Sequence, residues 1–575
     1  MTSFRVWAPR ARQVDLVLGD GGRHGLDGPD DRGWFTVEVA GAGPGDDYAY
    51  SLDGGPPRPD PRSAWQPAGV HGPSRLVDHG AFAWTDGAWD GGVPLAEAVV
   101  YELHVGTFSP EATYDGVVPK LDHLVDLGVT AVELLPVVEY PGRWGWGYDG
   151  VDLYAPKSAD GGPEGLKRLV DACHARGLSV IVDVVYNHLG PAGNYLSEFG
   201  PYFTDRYSTP WGEAVNLDGP DSDAVRAFVV DNALMWLRDY HADGLRLDAV
   251  HAIVDTSATH ILEELAARVD DLEAQLGLPK FLVAESDLND PRMVAERSAG
   301  GYGIDAQWSD DFHHALHALL TGERAGYYGD FGSMAQLAKA LRQAFVYDGG
   351  YSAHRRRRHG RSPAGLPATR FLGYLQNHDQ VGNRADGART SMLLSDGLLR
   401  AAAALVLLGP SVPMLFQGEE WGAATPFLYF TDHEDPKLGR AVSEGRRREF
   451  AAFGWSPSEV PDPQAPKTFE QSRLDWDELS QEPHAGLLEW HRRLIGLRRS
   501  MGHLDAPADV AFDEAGRWLV MVRGPLTVAC NLGSQPAAVP VPAGDVVLSS
   551  SGPVSVGGGM ATLRPESAFA LVRKP

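Results

Sequence analysis

Gly244-Leu-Arg-Leu-Asp-Ala-Val250 is the stretch from which the rest of this 575-residue chain is read. Leu245 and Leu247 alternate with Arg246 and Asp248 in the period-two pattern of a strand, so the two charged side chains share one face. Charge at the end of a buried strand is costly unless a site uses it. The construction recurs along the chain. Phe281-Leu-Val-Ala-Glu285 ends on a carboxylate and Phe371-Leu-Gly-Tyr-Leu-Gln-Asn-His-Asp379 ends on another. Ser179-Val-Ile-Val-Asp-Val-Val-Tyr-Asn-His188 carries Asp183 within it and closes on Asn187 and His188. In a parallel barrel all strand C-termini open on one face, where catalytic groups collect. Asp248, Glu285 and Asp379, arriving there from different strands, fit cleavage of a glycosidic bond, which needs a proton donor and a nucleophile or base.

Outward from these runs, strand-like segments and amphipathic helical segments alternate over residues 93–502. The strand candidates fall at 99–105, 131–136, 180–186, 244–250, 281–285, 304–308, 371–375 and 412–417, eight in all. Eight βα units with insertions predict a (β/α)8 TIM barrel rather than an open doubly wound sheet. No Gly-x-Gly-x-x-Gly follows the first strand, which weakens the dinucleotide-binding alternative. Residues 1–92 hold short β runs between Gly, Asp and Pro turns and predict an N-terminal β-sandwich of carbohydrate-binding type. Residues 503–575 return to short β runs and predict a small all-β domain. The loop 189–223 is rich in Gly, Pro and aromatics and is long enough to shape a site at the barrel's open face.

Composition narrows the function. With 77 Asp and Glu against 50 Lys and Arg, a formal charge of −27, neither nucleic acid nor an anionic membrane surface is an expected partner, whereas a neutral substrate is compatible. The basic run Arg355–Arg358 is read as a salt-bridged loop. Cys173 and Cys530 are the only cysteines, so no disulfide framework or thiolate metal site is expected. The start of the chain lacks the basic and apolar regions of a signal peptide, and no apolar run reaches 18 residues; a cytoplasmic protein is expected.

Four blocks taken together, Asp183-Val-Val-Tyr-Asn-His188, Gly244-Leu-Arg-Leu-Asp248, Ala284-Glu285 and Asn377-His-Asp379, resemble the ordered signature blocks of the α-amylase superfamily. Within it, the chain most resembles the maltooligosyltrehalose trehalohydrolases. The segments carrying that closer likeness are Trp146-Gly-Tyr-Asp-Gly-Val-Asp-Leu-Tyr-Ala-Pro156, Phe199-Gly-Pro-Tyr-Phe-Thr-Asp-Arg-Tyr207, Trp308-Ser-Asp-Asp-Phe-His-His314 and Gln417-Gly-Glu-Glu-Trp-Gly422. The resemblance implies Asp248 as nucleophile, Glu285 as general acid/base and Asp379 as stabiliser of the transition state. It implies substrate contacts from Tyr148, His188, Arg246, His378, Gln380 and Asn383, with Asp183 orienting its neighbours. One departure follows Asp248. Many members have Lys-His in this stretch, but here His251 and Ala252 stand at those positions, which points to an unusual leaving group contacted by His251, Asp311, His313 and His314. No metal or other cofactor is expected: Asn187 stands where related amylases hold calcium, but no Asp-rich ligand loop accompanies it.

The expected substrate is therefore maltooligosyl trehalose, cleaved beside its terminal trehalose with retention of configuration and supplied by a maltooligosyltrehalose-forming enzyme. A glucan branching enzyme or a general α-amylase-type hydrolase remains the alternative. A non-catalytic glucan-binding module is a third reading, weakened because all three carboxylates are present.

Overall fold

Eight short parallel strands close into a barrel. They are β1 (Val100–Leu103), β2 (Ala131–Leu134), β3 (Ser179–Val184), β4 (Gly244–Leu247), β5 (Phe281–Ala284), β6 (Ala306–Trp308), β7 (Phe371–Gly373) and β8 (Val412–Phe416), hydrogen-bonded in chain order with β8 returning to β1. This computed structural model describes residues 1–573 except 452–455, 457–458, 503 and 505. All eight expected strands are present, trimmed by a few residues where loops begin.

Strand alternation sorts the side chains into two cores. Val180, Val182, Val184, Leu245, Leu247 and Leu282 face outward and pack with the surrounding helices. Val100, Ala131, Ile181, Val283, Ala306, Trp308, Leu372, Tyr374, Val412 and Met414 fill the barrel interior. The same period puts Glu102, Glu133, Asp183 and Arg246 on the inward side one layer nearer the C-terminal face, and all four are buried. Register fixes this layer: Arg246 pairs across with Asp183 on β3 and with Val283 on β5. Gly244 opens β4 because a Cβ there would lie 2.3 Å from the Phe281 ring.

The N-terminal region contains two sheets. Thr2–Trp7 pairs with Trp34–Val39, and a four-stranded sheet is built on Val14–Leu18 and Asp47–Leu52. Phe4, Val6, Val14, Leu16, Phe35 and Tyr48 are buried between them. This sandwich is docked on the barrel: Trp7 meets Tyr202 edge-on at 5.2 Å, and Arg58 and Arg62 pair with Glu198 and Asp231. The connecting segment is fastened beneath the barrel, where buried His174 lies between Asp86 (2.9 Å) and Asp243 (3.0 Å) and stacks on Trp89. At the other end, a five-stranded sheet and a three-stranded sheet enclose Val520, Ala529, Val539, Leu563 and Phe569. Among the described residues, no helix is long and apolar enough to cross a membrane.

Candidate active site

Arg246 is fully buried at the end of β4, and three carboxylates approach its guanidinium. Nη1 donates to Asp183 Oδ2 (2.7 Å) and Asp248 Oδ1 (2.9 Å), while Nη2 lies 2.7 Å from Glu285 Oε2 without the alignment of a hydrogen bond. The other face of the guanidinium problem is solved by an aromatic ring, since Arg246 lies 4.3 Å from the Trp308 ring centroid. Asn187, at the end of β3, donates from Nδ2 to Asp248 Oδ2 (2.6 Å), so each oxygen of Asp248 has a donor. Immediately beyond, Ala249 adopts a left-handed conformation (φ 39°) and its N–H donates to Glu285 Oε2 at 2.8 Å. Asp248 and Glu285 are thus tied to opposite nitrogens of one guanidinium.

More carboxylates than cations meet here, and the excess decides protonation. Burial pushes Glu285 well above the usual carboxylate range; Arg246 opposes this, and the charges of Asp248, Asp379 and Asp310 reinforce it. Burial likewise raises Glu133, next to Glu102, and lifts Asp183 to about 6 against the pull of Arg246. His378 goes the other way. Burial works against its charge, but Glu102 and Asp379 hold it up to about 9. As a cation it donates from Nδ1 to Glu102 Oε1 (2.6 Å) and from Nε2 to the Tyr148 hydroxyl (2.8 Å), which in turn donates to Asp183 Oδ2 (2.7 Å).

Asp379 lies in the first turn of a short helix, His378–Gly382, that follows β7. Its carboxylate is 38% exposed and stands 3.5 Å from His378 Nε2, making it the open member of the trio. Asn377 caps this helix through its side-chain oxygen, and Gln380 answers by accepting from the Asn377 N–H at 3.0 Å. Asn383 donates to Asp379 Oδ1 at a long 3.4 Å. His188 lies between Asn187 Oδ1 (2.5 Å) and the Tyr148 carbonyl (3.0 Å), and burial lowers its pKa. The structure therefore gathers Asp248, Glu285, Asp379, Tyr148, His188, Arg246, His378 and Asn383 around one cleft, with Gln380 beside them as a helix cap.

The other candidates are placed apart. Asp311 accepts from the Val346 and Tyr347 N–H groups (both 2.7 Å) and from Asn289, which secures a neighbouring loop. His313 is buried against the Leu375 carbonyl and the Tyr328 hydroxyl, and His314 lies among Tyr327, Tyr328 and Phe331. His251 is exposed, and its charge, after that of Arg355, lowers Asp287 against the effect of burial. In the basic run only Arg355 is salt-bridged among the described residues, to Asp287 at 2.9 Å. Sequence reasoning missed Glu102, Trp308 and Trp211. Glu102 was legible as an inward-facing charge on a strand; Trp211 was not, because its ring stacks on His188 (4.6 Å, 11°) from the tip of a hairpin, Phe203–Thr209 with Gly212–Val215, that belongs to the long loop.

Residues 82–207 match the model of the alpha amylase catalytic domain, and residues 504–570 match a domain of unknown function, DUF3459. A malto-oligosyltrehalose trehalohydrolase from Arthrobacter ramosus is 55% identical over 93% of this chain and 94% of its own length. One from Mycobacterium tuberculosis is 50% identical, with 96% of each chain covered. A crystal structure from Salmonella typhimurium, assigned provisionally to the alpha amylases, superposes with a TM-score of 0.91 at 38% identity, covering 100% of this chain and 97% of the other. With identity of this order sustained from the sandwich to the C-terminal sheets, the chain belongs to the malto-oligosyltrehalose trehalohydrolase family.

Proposed function

We propose that this enzyme, a retaining glycoside hydrolase, cleaves the α-1,4 bond next to the terminal trehalose of maltooligosyl trehalose and releases free trehalose. The observation that carries the reaction is the placement of Asp248 and Glu285 on opposite nitrogens of one guanidinium, with burial raising the Glu285 pKa in favour of its acid form. In the first step Asp248 attacks the anomeric carbon. The bond to the glycosidic oxygen breaks, the Glu285 proton passes to that oxygen, and trehalose departs as a glycosyl ester forms on Asp248. In the second, Glu285, now a carboxylate, takes a proton from water as its oxygen attacks the same carbon, and Asp248 is released. Two inversions give net retention. Retaining enzymes need the two carboxyls roughly 5–5.5 Å apart, a separation that two groups flanking one guanidinium can hold.

Asp379, the most open of the three, is assigned to stabilising positive charge on the ring being cleaved. Tyr148, His188 and His378 line the side of that ring; cationic His378 spends both N–H groups on Glu102 and the Tyr148 hydroxyl, and so acts by holding Tyr148 in place. Asn383 and Gln380 keep Asp379 in place. Full-length likeness to named trehalohydrolases supports the substrate over the branching-enzyme and general-amylase alternatives. The two buried, unpaired thiols of Cys173 and Cys530 support action in the reducing cytoplasm, where an enzyme that closes glucan ends as trehalose must act first.

Product analysis on maltotriosyl trehalose beside maltopentaose tests the reading. Trehalose and maltotriose are the expected products, with a specificity constant at least about tenfold above that for maltopentaose, a preference of about 1.4 kcal/mol. Equal rates on the two would make this a general amylase and overturn the assignment.

A further inference from the structure

We propose that Asp310 is a specificity-determining residue of the leaving-group site, where its carboxyl hydrogen-bonds hydroxyls of the departing disaccharide. This deepens the function proposed above and rests on it. Glu285 gives its proton to the oxygen that leaves with the product, so groups beyond Glu285, on the side away from the nucleophile, border the leaving sugar. Strand order supplies that direction: Asp248 follows β4, Glu285 follows β5 and Asp310 follows β6.

The local chain explains why residue 310 and not 311 reaches the cleft. Ala306 and Trp308 face the barrel interior, and a helix starts at Asp310, two residues after β6 ends. Asp311 turns the other way and is consumed by the Val346, Tyr347 and Asn289 donors. Asp310 is instead held by Tyr374, whose hydroxyl donates to its Oδ1 at 2.5 Å. Tyr374 meets the Trp308 ring edge-on at 5.6 Å, and Trp308 in turn lies under Arg246 at 4.3 Å. A continuous aromatic floor thus runs from the cleavage carboxylates to Asp310.

Asp310 is half-buried, and its Oδ2 accepts no hydrogen bond from any described residue. It forms no salt bridge among the described residues, unlike nearby Asp287, which is paired with Arg355. Burial, opposed by the Tyr374 hydroxyl and helped by Asp287 and Asp379, lifts it to about 7. Near neutrality the carboxyl is therefore available both to accept from and to donate to sugar hydroxyls. The two rings of trehalose are joined 1,1 and present those hydroxyls in an orientation unlike that of maltose, so an unmet carboxyl discriminates between them.

The test compares Asp310→Ala with wild type on maltotriosyl trehalose and maltopentaose. Both substrates use the same Glu285, so any general effect on proton transfer cancels in the ratio of their specificity constants. The ratio is expected to fall at least tenfold, and inhibition by added trehalose to weaken at least tenfold while inhibition by maltose is little changed. Equal losses on both substrates, or an unchanged ratio, would overturn the proposal. If Asp310→Ala does not fold, Asp310→Asn keeps the shape, and the same two readouts decide. A wild type with no preference for the trehalose-ended substrate defeats the functional reading itself; a preference that survives in the variant defeats only the role of Asp310.

Discussion

Arg246 is fully buried with three carboxylates around it, so its neighbours cannot be altered independently. Removing Asp248 or replacing the Glu285 carboxyl by an amide takes away bond formation in one case and the mobile proton in the other. Asp248→Ala and Glu285→Gln are each expected to lower kcat by at least about 10²–10⁴-fold with the fold retained, read by steady-state kinetics beside circular dichroism. Near wild-type turnover in either folded variant would remove that residue from its role. His378 supports a prediction of opposite character. Its folded pKa of about 9 lies above the unfolded value of about 6.5, so the native state binds the proton more tightly. The resulting stabilisation, on the order of 3 kcal/mol, is complete below about pH 6.5 and is lost as pH rises through about 9. The difference in Tm between wild type and His378→Gln should therefore narrow between pH 6 and pH 9.5; a constant gap would mean that the buried imidazole is neutral. At this scale the sequence was legible wherever a charge stood on an inward strand position, as with Arg246 and Asp248. It was less direct for His313 and His314, whose rings lie against Leu375 and Tyr328 in one case and against Tyr327 and Phe331 in the other.

The long loop between β3 and β4 reaches the site through Trp211, which stacks on His188. Its hairpin was not apparent in the sequence, since Thr204-Asp-Arg-Tyr-Ser-Thr209 has no apolar alternation to announce a strand. Its position depends on helix Ser222–Asp239, whose Arg226 reaches four partners: Asp255 (2.7 Å), Glu264 (2.6 Å) and the Leu217 and Thr259 carbonyls. Arg226 thereby ties the end of this loop to the segment that follows the nucleophile. Removing one partner of a buried ion pair leaves the others charged and unmatched, at a cost of about 3–5 kcal/mol. Arg226→Met should lower the unfolding free energy by about 3 kcal/mol, the smaller figure because Glu264 is partly exposed, and should raise KM more than it lowers kcat. Denaturant unfolding indistinguishable from wild type would show that the clamp contributes nothing.

For the molecule as a whole, the absence of a metal is an expectation that can be checked on the intact enzyme. Asn187, the residue at which related amylases hold calcium, has its amide nitrogen on Asp248 and its oxygen on His188. Among the described residues no group of three or more His, Cys, Asp or Glu is arranged to hold an ion. Prolonged EDTA treatment should leave both activity and Tm unchanged; a loss of both that calcium restores would refute this. The barrel itself was determined by the sequence alone, because period-two alternation and apolar runs are local properties, and eight of them separated by helical segments leave few other folds. Sequence order also put Asp248 and Glu285 directly after their strands and Asp379 in the segment that follows β7. What it did not determine was which charges share a donor, which are left without one, and which of two adjacent aspartates after β6 faces the cleft. Those depend on register across the barrel and on loops arriving from residues far away in the chain. Only folding brings Glu102 to His378, Tyr374 to Asp310 and Trp211 to His188, because hydrogen bonds and desolvation act over a few ångströms of space and not along the sequence.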